Sequence, residues 1–111
     1  MIGDNDLSIP AKMLDAYALR HKLLANNIAN ADVPGYRKMD VNFSESLRKA
    51  IESQDPRRIG KEPIQVRQSR ETGVETETEV ARMAKNEVLY NAFSNIAAFK
   101  LRLLKAAIQS K

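Results

Sequence analysis

The sequence contains no cysteine and no tryptophan, and aromatic residues make up only 5% of its 111 positions. The missing cysteine excludes disulfides, thiolate metal sites and a cysteine nucleophile. A single histidine, His21, argues against a protein-bound zinc ion. The apolar content is mainly Ala, Leu, Ile and Val, which bury little area each, so we expect a thin core that partner molecules complete.

The chain also lacks any apolar run of the roughly 20 residues that span a bilayer, and we expect no membrane insertion. Its first residues lack a basic segment followed by an apolar one, so we expect no cleaved signal peptide. The net charge is +4, but no run of five or six like charges occurs, which favours a solvated surface over a nucleic-acid site. The length predicts one domain, residues 1–111.

What is present is a pattern of two long amphipathic helices. The first is predicted over residues 8–31, where apolar side chains recur at alternating spacings of three and four, as in a coiled-coil seam. A second apolar row beside the seam implies more than one neighbour. The helix is expected to end before Pro34, because a residue preceding proline avoids the helical region and Pro34-Gly35 suits a type II turn. The seam residues are Leu14, Tyr17, Leu24 and Ile28.

The middle segment, residues 32–75, is predicted to contain a turn, a short strand or helix, and a loop. Met39, Val41 and Phe43 alternate with polar residues, which indicates a half-buried strand. Ser44 is then placed to cap a short helix. The second half of the segment is polar and punctuated by proline and glycine, which predicts a loop with at most one edge strand.

The second long helix is predicted over residues 76–109, with no glycine or proline inside it. Thr76 and Glu79 have capping-box spacing, and basic residues gather near its end, as the helix dipole favours. It is longer than the first helix, so part of its apolar face must remain for other molecules. The fold class is therefore mainly α, with two long terminal helices in an antiparallel coiled-coil-like hairpin and a short loop- and β-containing middle segment. Its apolar row includes Val88, Ile96, Phe99 and Leu103, and Phe93 flanks this row.

The segment at the end of the first helix reads Leu24-Ala25-Asn26-Asn27-Ile28-Ala29-Asn30-Ala31-Asp32-Val33-Pro34-Gly35-Tyr36. It closely resembles the signature of flagellar rod, hook and hook-associated axial proteins, in which an Asn-rich helix end precedes Pro-Gly-Tyr. Within the basal-body rod protein family it looks most like the proximal-rod subunits. Residues 84–92 and 104–108 of this sequence also resemble the C-terminal helix of those subunits. Val33 departs from the family's usual Thr, and the middle segment looks short. The motif residues are Asn26, Asn27, Ile28, Ala29, Asn30, Asp32, Pro34, Gly35 and Tyr36.

The resemblance implies a structural subunit of the proximal rod of the bacterial flagellar basal body. Such a subunit polymerises through its terminal helices into a hollow drive shaft that transmits torque, and it is required for flagellum assembly and motility. It is exported by the flagellar type III system and assembles in the periplasm. The implied partners are further copies of itself, other rod subunits, the rod-base adaptor, the MS ring and the export gate.

The resemblance also implies how the candidate residues act. An assembly interface is expected within and between subunits, where Leu14, Tyr17, Leu24 and Ile28 meet Val88, Phe93, Ile96, Phe99 and Leu103. The spacing of the three motif asparagines alone fits simple helix breaking, whereas the resemblance favours amides that tie the turn or bridge to a neighbour. Tyr36 is either a packing anchor or an ordinary half-exposed side chain, and we favour the anchor. His21 is more readily a packed residue than a pH switch.

No catalytic pattern is found. The sequence has no recognisable carboxylate pair, no glycine-rich phosphate loop and no serine with a histidine relay, so we expect no enzyme activity, no cofactor and no metal site. Two rival functions remain, a small basic helical protein that binds nucleic acid and an amphipathic helix that lies on membranes. Both would gather Lys and Arg on one helix face, whereas here they are dispersed.

Overall fold

A computed structural model describes residues 7–53 and 55–110. The elements within them confirm the mainly helical prediction with a short strand-containing middle segment. Among these residues, no helix combines the length and apolar character that crossing a membrane requires. In chain order the elements are α1 (Ser8–Ala29), β1 (Met39–Val41), α2 (Phe43–Ser53), α3 (Pro56–Ile59), β2 (Val66–Gln68) and α4 (Thr76–Gln109).

The two long helices, α1 and α4, pack together in an antiparallel pair. Asn27, near the end of α1, bonds Glu79 at the start of α4, whereas Tyr17, earlier in α1, contacts Asn86 and Phe93 further along α4. The helices have 22 and 34 residues, so at 1.5 Å per residue they are about 33 and 50 Å long. The last turns of α4 therefore extend beyond the start of α1.

Helix α1 ends at Ala29, two residues before the predicted end. The reason lies in Asn30, whose backbone N–H donates to the carbonyls of Asn26 and Asn27 at 3.1 and 3.2 Å. Its side-chain Nδ2 also donates to the Asn26 carbonyl at 2.8 Å. These bonds use the last free carbonyls of the helix and start the turn.

The predicted turn at Pro34-Gly35 is present. The N–H of Tyr36 donates to the carbonyl of Val33 at 3.2 Å, and Gly35 has φ +79°. A positive φ at the third position of a four-residue turn is the mark of type II, and glycine reaches it without a steric cost.

The strand β1 stops before Phe43, contrary to the sequence prediction. The side-chain Oδ1 of Asn42 accepts the N–H of Glu45 at 3.1 Å and thereby caps α2. The prediction that Ser44 caps this helix was wrong, because Asn42, two positions earlier, is the capping residue. Phe43 therefore lies in the first turn of α2, where its ring packs 4.8 Å from the ring of Tyr17.

The second half of the middle segment contains more structure than the predicted loop. The short helix α3 begins after Asp55, whose carboxylate accepts the N–H of Arg57, and this bond lowers the pKa of that carboxyl. Strand β2 pairs antiparallel with β1, which confirms the predicted edge strand. Among the described residues, the buried apolar side chains are few, and they are Ala16, Tyr17, Leu24, Val41 and Ile59.

Candidate functional site

Asn27 is the centre of the candidate site, and only 1% of it is exposed. Its Nδ2 donates to the carbonyl of Met39 at 2.8 Å and to Oε2 of Glu79 at 3.2 Å. Its Oδ1 accepts the N–H of Met39 at 3.0 Å and the hydroxyl of Tyr36 at 2.8 Å. One amide thus uses its full hydrogen-bonding capacity to join α1, the turn, β1 and α4. We call Asn27, Tyr36, Met39 and Glu79 the Asn27 clamp.

The clamp also closes one edge of the small sheet. The two bonds that Asn27 exchanges with the backbone of Met39 are the same pair that an opposite residue of a neighbouring strand would make. The outward N–H and carbonyl of Met39 on β1 are therefore hydrogen-bonded by a side chain rather than by a third strand. This geometry explains why a short polar amide stands at this position of α1.

Glu79 was assigned a capping role by the sequence, and that assignment was wrong. The cap position of α4 is Glu75, with no side-chain cap bond, and Glu79 is instead buried with 1% exposure. Its Oε1 lies 3.7 Å from Nζ of Lys38. A buried carboxylate is costly unless donors and a cation lie near it. The amide of Asn27 donates to Oε2, whereas Oε1 has no hydrogen bond within residues 7–53 and 55–110 and has the Lys38 ammonium as its nearby cation. Nothing in the local pattern distinguishes Glu79 from the exposed Glu77.

Tyr36 folds the chain back onto α1, the position expected for a packing anchor. Besides donating to Asn27, its hydroxyl oxygen accepts Nδ2 of Asn26 at 3.0 Å. The three motif asparagines therefore bond within the chain, to the turn and to each other. Ile28 is half-buried, whereas the other motif residues, Ala29, Asp32, Pro34 and Gly35, are exposed.

An ion-pair cluster beside the clamp was not predicted by any motif. Asp40 on β1 pairs with Arg20 on α1 at 3.0 Å and with Arg82 on α4 at 3.3 Å. The Arg20 guanidinium also lies 5.4 Å from the ring of Phe43. Because these groups are partly exposed, the cluster orients the three elements more than it stabilises them.

Tyr17 lies where α1, α2 and α4 meet. Its ring contacts the rings of Phe43 and Phe93, with centroids 4.8 and 5.5 Å away. Asn86 on α4 donates Nδ2 to the Tyr17 carbonyl at 2.8 Å, a second buried asparagine contact between the long helices. Burial raises the pKa of the Tyr17 hydroxyl, and the nearby charge of Arg20 offsets part of that rise.

The structure separates the nine predicted assembly residues into two groups. Five pack within the chain: Tyr17 and Leu24 are buried, and Leu14, Ile28 and Phe93 are half-buried. The other four lie together along one side of α4, between about 80° and 160° around the helix axis from the direction of Glu79, Asn86 and Phe93, as 100° per residue gives. Their exposed fractions are 67% for Val88, 43% for Ile96, 55% for Phe99 and 48% for Leu103.

We call Val88, Ile96, Phe99 and Leu103 the outer stripe of α4. A further pair of apolar side chains, Leu101 and Ile108, is 43% and 70% exposed and lies on the α1-facing side, beyond the start of α1. Helix α4 therefore presents uncovered apolar surface on two sides. Sequence periodicity located the outer stripe, but it did not show that α1 leaves these four side chains exposed.

Residues 14–37, which hold most of α1 and the asparagine turn, match the profile of the family described as flagella basal body rod protein. The chain is a relative of these rod proteins. It is 44% identical over 46 residues to the flagellar basal body rod protein FlgB of Buchnera aphidicola subsp. Baizongia pistaciae, a match that covers 41% of this chain and 34% of that protein. Against FlgB of Yersinia enterocolitica the identity is 41% over 49 residues, covering 44% and 36%.

These matches span about a third of the length of the relatives concerned. A longer alignment exists with FlgB of Borrelia hermsii, which is 23% identical over 133 residues and covers 97% of this chain and 98% of that protein. The family profile includes two members of the Asn27 clamp, Asn27 and Tyr36. The partners of Asn27 on β1 and α4, Met39 and Glu79, lie outside it.

Proposed function

We propose that this protein is a structural, non-enzymatic subunit of the proximal rod of the bacterial flagellar basal body. It polymerises through its terminal helices into the hollow drive shaft that transmits torque, and flagellum assembly and motility require it. The observation that carries this proposal is the uncovered apolar surface of α4, in a chain related to rod proteins.

The outer stripe gives the proposal its energetic basis. Full burial of one large apolar side chain contributes about 1.5–3 kcal/mol relative to exposure, and the four residues of the stripe are each about half exposed. A neighbouring subunit that covers them gains roughly 3–6 kcal/mol before the cost of association. The pair Leu101 and Ile108 offers a second contact on the other side, so one helix engages two neighbours.

The Asn27 clamp supplies the fixed geometry that a repeating assembly needs. It holds the turn, the β1–β2 hairpin and the start of α4 at set positions on α1 through one buried amide. The motif asparagines act within the subunit in this proposal, and the interface between subunits is apolar. Rigid subunits lose less conformational freedom on assembly, which favours polymerisation.

The proposed location is the periplasmic rod, reached through the flagellar type III export system. The proposed neighbours are copies of this chain, other rod subunits, the rod-base adaptor, the MS ring and the export gate. Nucleic acid and direct membrane insertion are not part of the proposal. The names of the relatives and the dispersed surface charge support this assignment over the two rival functions.

Mass spectrometry of purified flagellar basal bodies tests the proposal, with a strain that lacks this gene as the control. We expect the protein in wild-type basal bodies and no completed rod in the deletion strain. Intact basal bodies without the protein would contradict the proposal and return attention to nucleic-acid and membrane binding.

A further inference from the structure

The outer edge of β2 is a surface that the proposed assembly through α4 does not use. Backbone bonds to the β1 side occur at the carbonyl of Gln65, at 2.7 Å, and at the N–H of Ser69, at 2.8 Å. Antiparallel pairing alternates, so the residues between them at even positions, Val66 and Gln68, direct their N–H and C=O groups away from β1. No group in residues 7–53 or 55–110 bonds these outward atoms.

The two edges of the sheet therefore differ. On β1 the outward backbone groups of Met39 are bonded by the side chain of Asn27, whereas on β2 all three residues are exposed. An open edge strand is a template for an extended segment, because backbone hydrogen bonds supply affinity for almost any sequence. The side chains beside the edge then decide which segment is accepted.

Arg67 of β2 belongs to a group of basic side chains on one face of the hairpin. Lys38, Arg67 and Arg82 line a recess of about 260 Å³ between the hairpin and α4. The carboxylate that lines the same recess, Asp40, is already paired with Arg82 and with Arg20. Lys38 is likewise paired with Glu79, so Arg67 is the cation of the recess that has no carboxylate partner among residues 7–53 and 55–110. This unmatched charge favours an incoming segment with aspartate or glutamate side chains.

A second copy of this chain is a poor occupant of the edge. In an antiparallel pairing that uses the outward groups of both Val66 and Gln68, Arg67 lies directly opposite the same arginine of the second copy. Such non-hydrogen-bonded positions bring the two Cα atoms within about 4.5 Å, and like charges there are destabilising.

We propose that β2 accepts an extended acidic segment of a partner protein as a third strand. The segment bonds the backbone of Val66 and Gln68 and places a carboxylate opposite Arg67. This contact does not use the outer stripe of α4, so it stands or fails separately from rod assembly through that stripe.

Fluorescence anisotropy with a labelled nine-residue synthetic peptide of alternating glutamate and threonine or valine residues tests the proposal. We expect saturable binding to the whole protein, and binding about tenfold weaker for the same peptide with lysine in place of glutamate. A peptide N-methylated at its threonine or valine residues has lost the N–H groups that bond Val66 and Gln68 when a glutamate lies opposite Arg67, so it should not bind.

Two substitutions at β2 make the test specific. Val66→Pro removes an N–H that points away from β1, so the hairpin is retained while the edge is blocked. Val66→Thr keeps the N–H and serves as its matched control. We expect Val66→Pro to abolish acidic-peptide binding, Val66→Thr to retain it, and Arg67→Glu to reverse the preference towards the lysine peptide.

Equal binding of the two charged peptides, undiminished binding of the N-methylated peptide or no binding of any peptide would overturn the proposal. A dimer of the whole protein that Val66→Pro dissociates would also overturn it, because the edge would then belong to a second copy. Far-UV circular dichroism checks that Val66→Pro is folded. If it is not, the N-methylated peptide still decides the question on the unaltered protein.

Discussion

At the scale of single residues, Asn27 carries more connections than any apolar side chain of the small core. Replacing it with alanine removes the partners of the Met39 backbone and of the Tyr36 hydroxyl, and it leaves the buried Glu79 carboxylate without its amide donor. Each unsatisfied buried polar group costs about 1–3 kcal/mol. We expect Asn27→Ala to lower the free energy of unfolding by about 3 kcal/mol, measured by urea denaturation followed by circular dichroism.

Asn26→Ala is the matched control, since Asn26 is exposed and its side chain makes hydrogen bonds only to Tyr36 and Asn30. It should cost less than about 1 kcal/mol. Equal stability of the two variants would mean that the Asn27 clamp does not hold the fold.

Gly35 offers a second residue-scale prediction. A Cβ at this position would meet no atom within 4 Å, so the cost of Gly35→Ala comes from its φ of +79° alone. We expect a loss of about 1 kcal/mol in the free energy of unfolding. Gly60→Ala is the control, because Gly60 also has open space but has φ −67°, where alanine is slightly stabilising. Thermal unfolding of both variants should show shifts of opposite sign.

The raised pKa of the Tyr17 hydroxyl leads to a prediction of how the free energy of unfolding changes at alkaline pH. Its pKa in the folded protein is raised by burial above the ordinary value of 10.0, so the folded state holds this proton more tightly than the unfolded state does. Its contribution to stability is therefore complete below pH 10 and is lost as the pH rises from 10 through the folded pKa. Urea denaturation at pH 9 to 11, a range set about the tyrosine pKa, should show a steeper loss for the wild type than for Tyr17→Phe. Identical slopes would contradict this.

At the scale of elements, sequence patterns correctly predicted the helices, turns and strands that depend only on residues close together in the chain. The bounds of α4, the turn at Gly35 and an edge strand in the middle segment all follow from propensity, proline and glycine positions, or alternation. The burial of Glu79 does not, because it depends on Asn27, which is 52 residues away in the chain. The end of β1 was missed for a related reason, since Asn42 competes with the strand by capping α2.

The outer stripe of α4 gives the prediction that belongs to this scale. Ile96 is 43% exposed in the single chain, so Ile96→Asp should leave the fold of the monomer intact. In an assembled rod the new carboxylate would be buried without a partner, which costs several kcal/mol. We expect Ile96→Asp to abolish motility on soft agar and incorporation into basal bodies, whereas Glu71→Ala, at an exposed loop position, should affect neither. Normal motility with Ile96→Asp would count strongly against the interface.

At the scale of the whole molecule, the chain has an elongated shape. Its dimensions are 62 × 26 × 15 Å and its radius of gyration is 16.9 Å, whereas a compact domain of this length has about 13 Å. We expect small-angle X-ray scattering of dilute monomer to give a radius of gyration near that larger value, with interatomic distances out to about 60 Å. A value near the compact one would mean that the last turns of α4 fold back in the isolated chain.

The long-range bonds between the two helices also have a kinetic consequence. Glu79 meets Asn27 across 52 residues, Arg82 meets Asp40 across 42, and Asn86 meets the Tyr17 carbonyl across 69. Contacts of such high sequence separation close large loops and form late in folding. None of these three bonds exists until the last third of the chain is present. The pairing of α1 with α4 therefore becomes rigid only after both ends of the chain are free to meet.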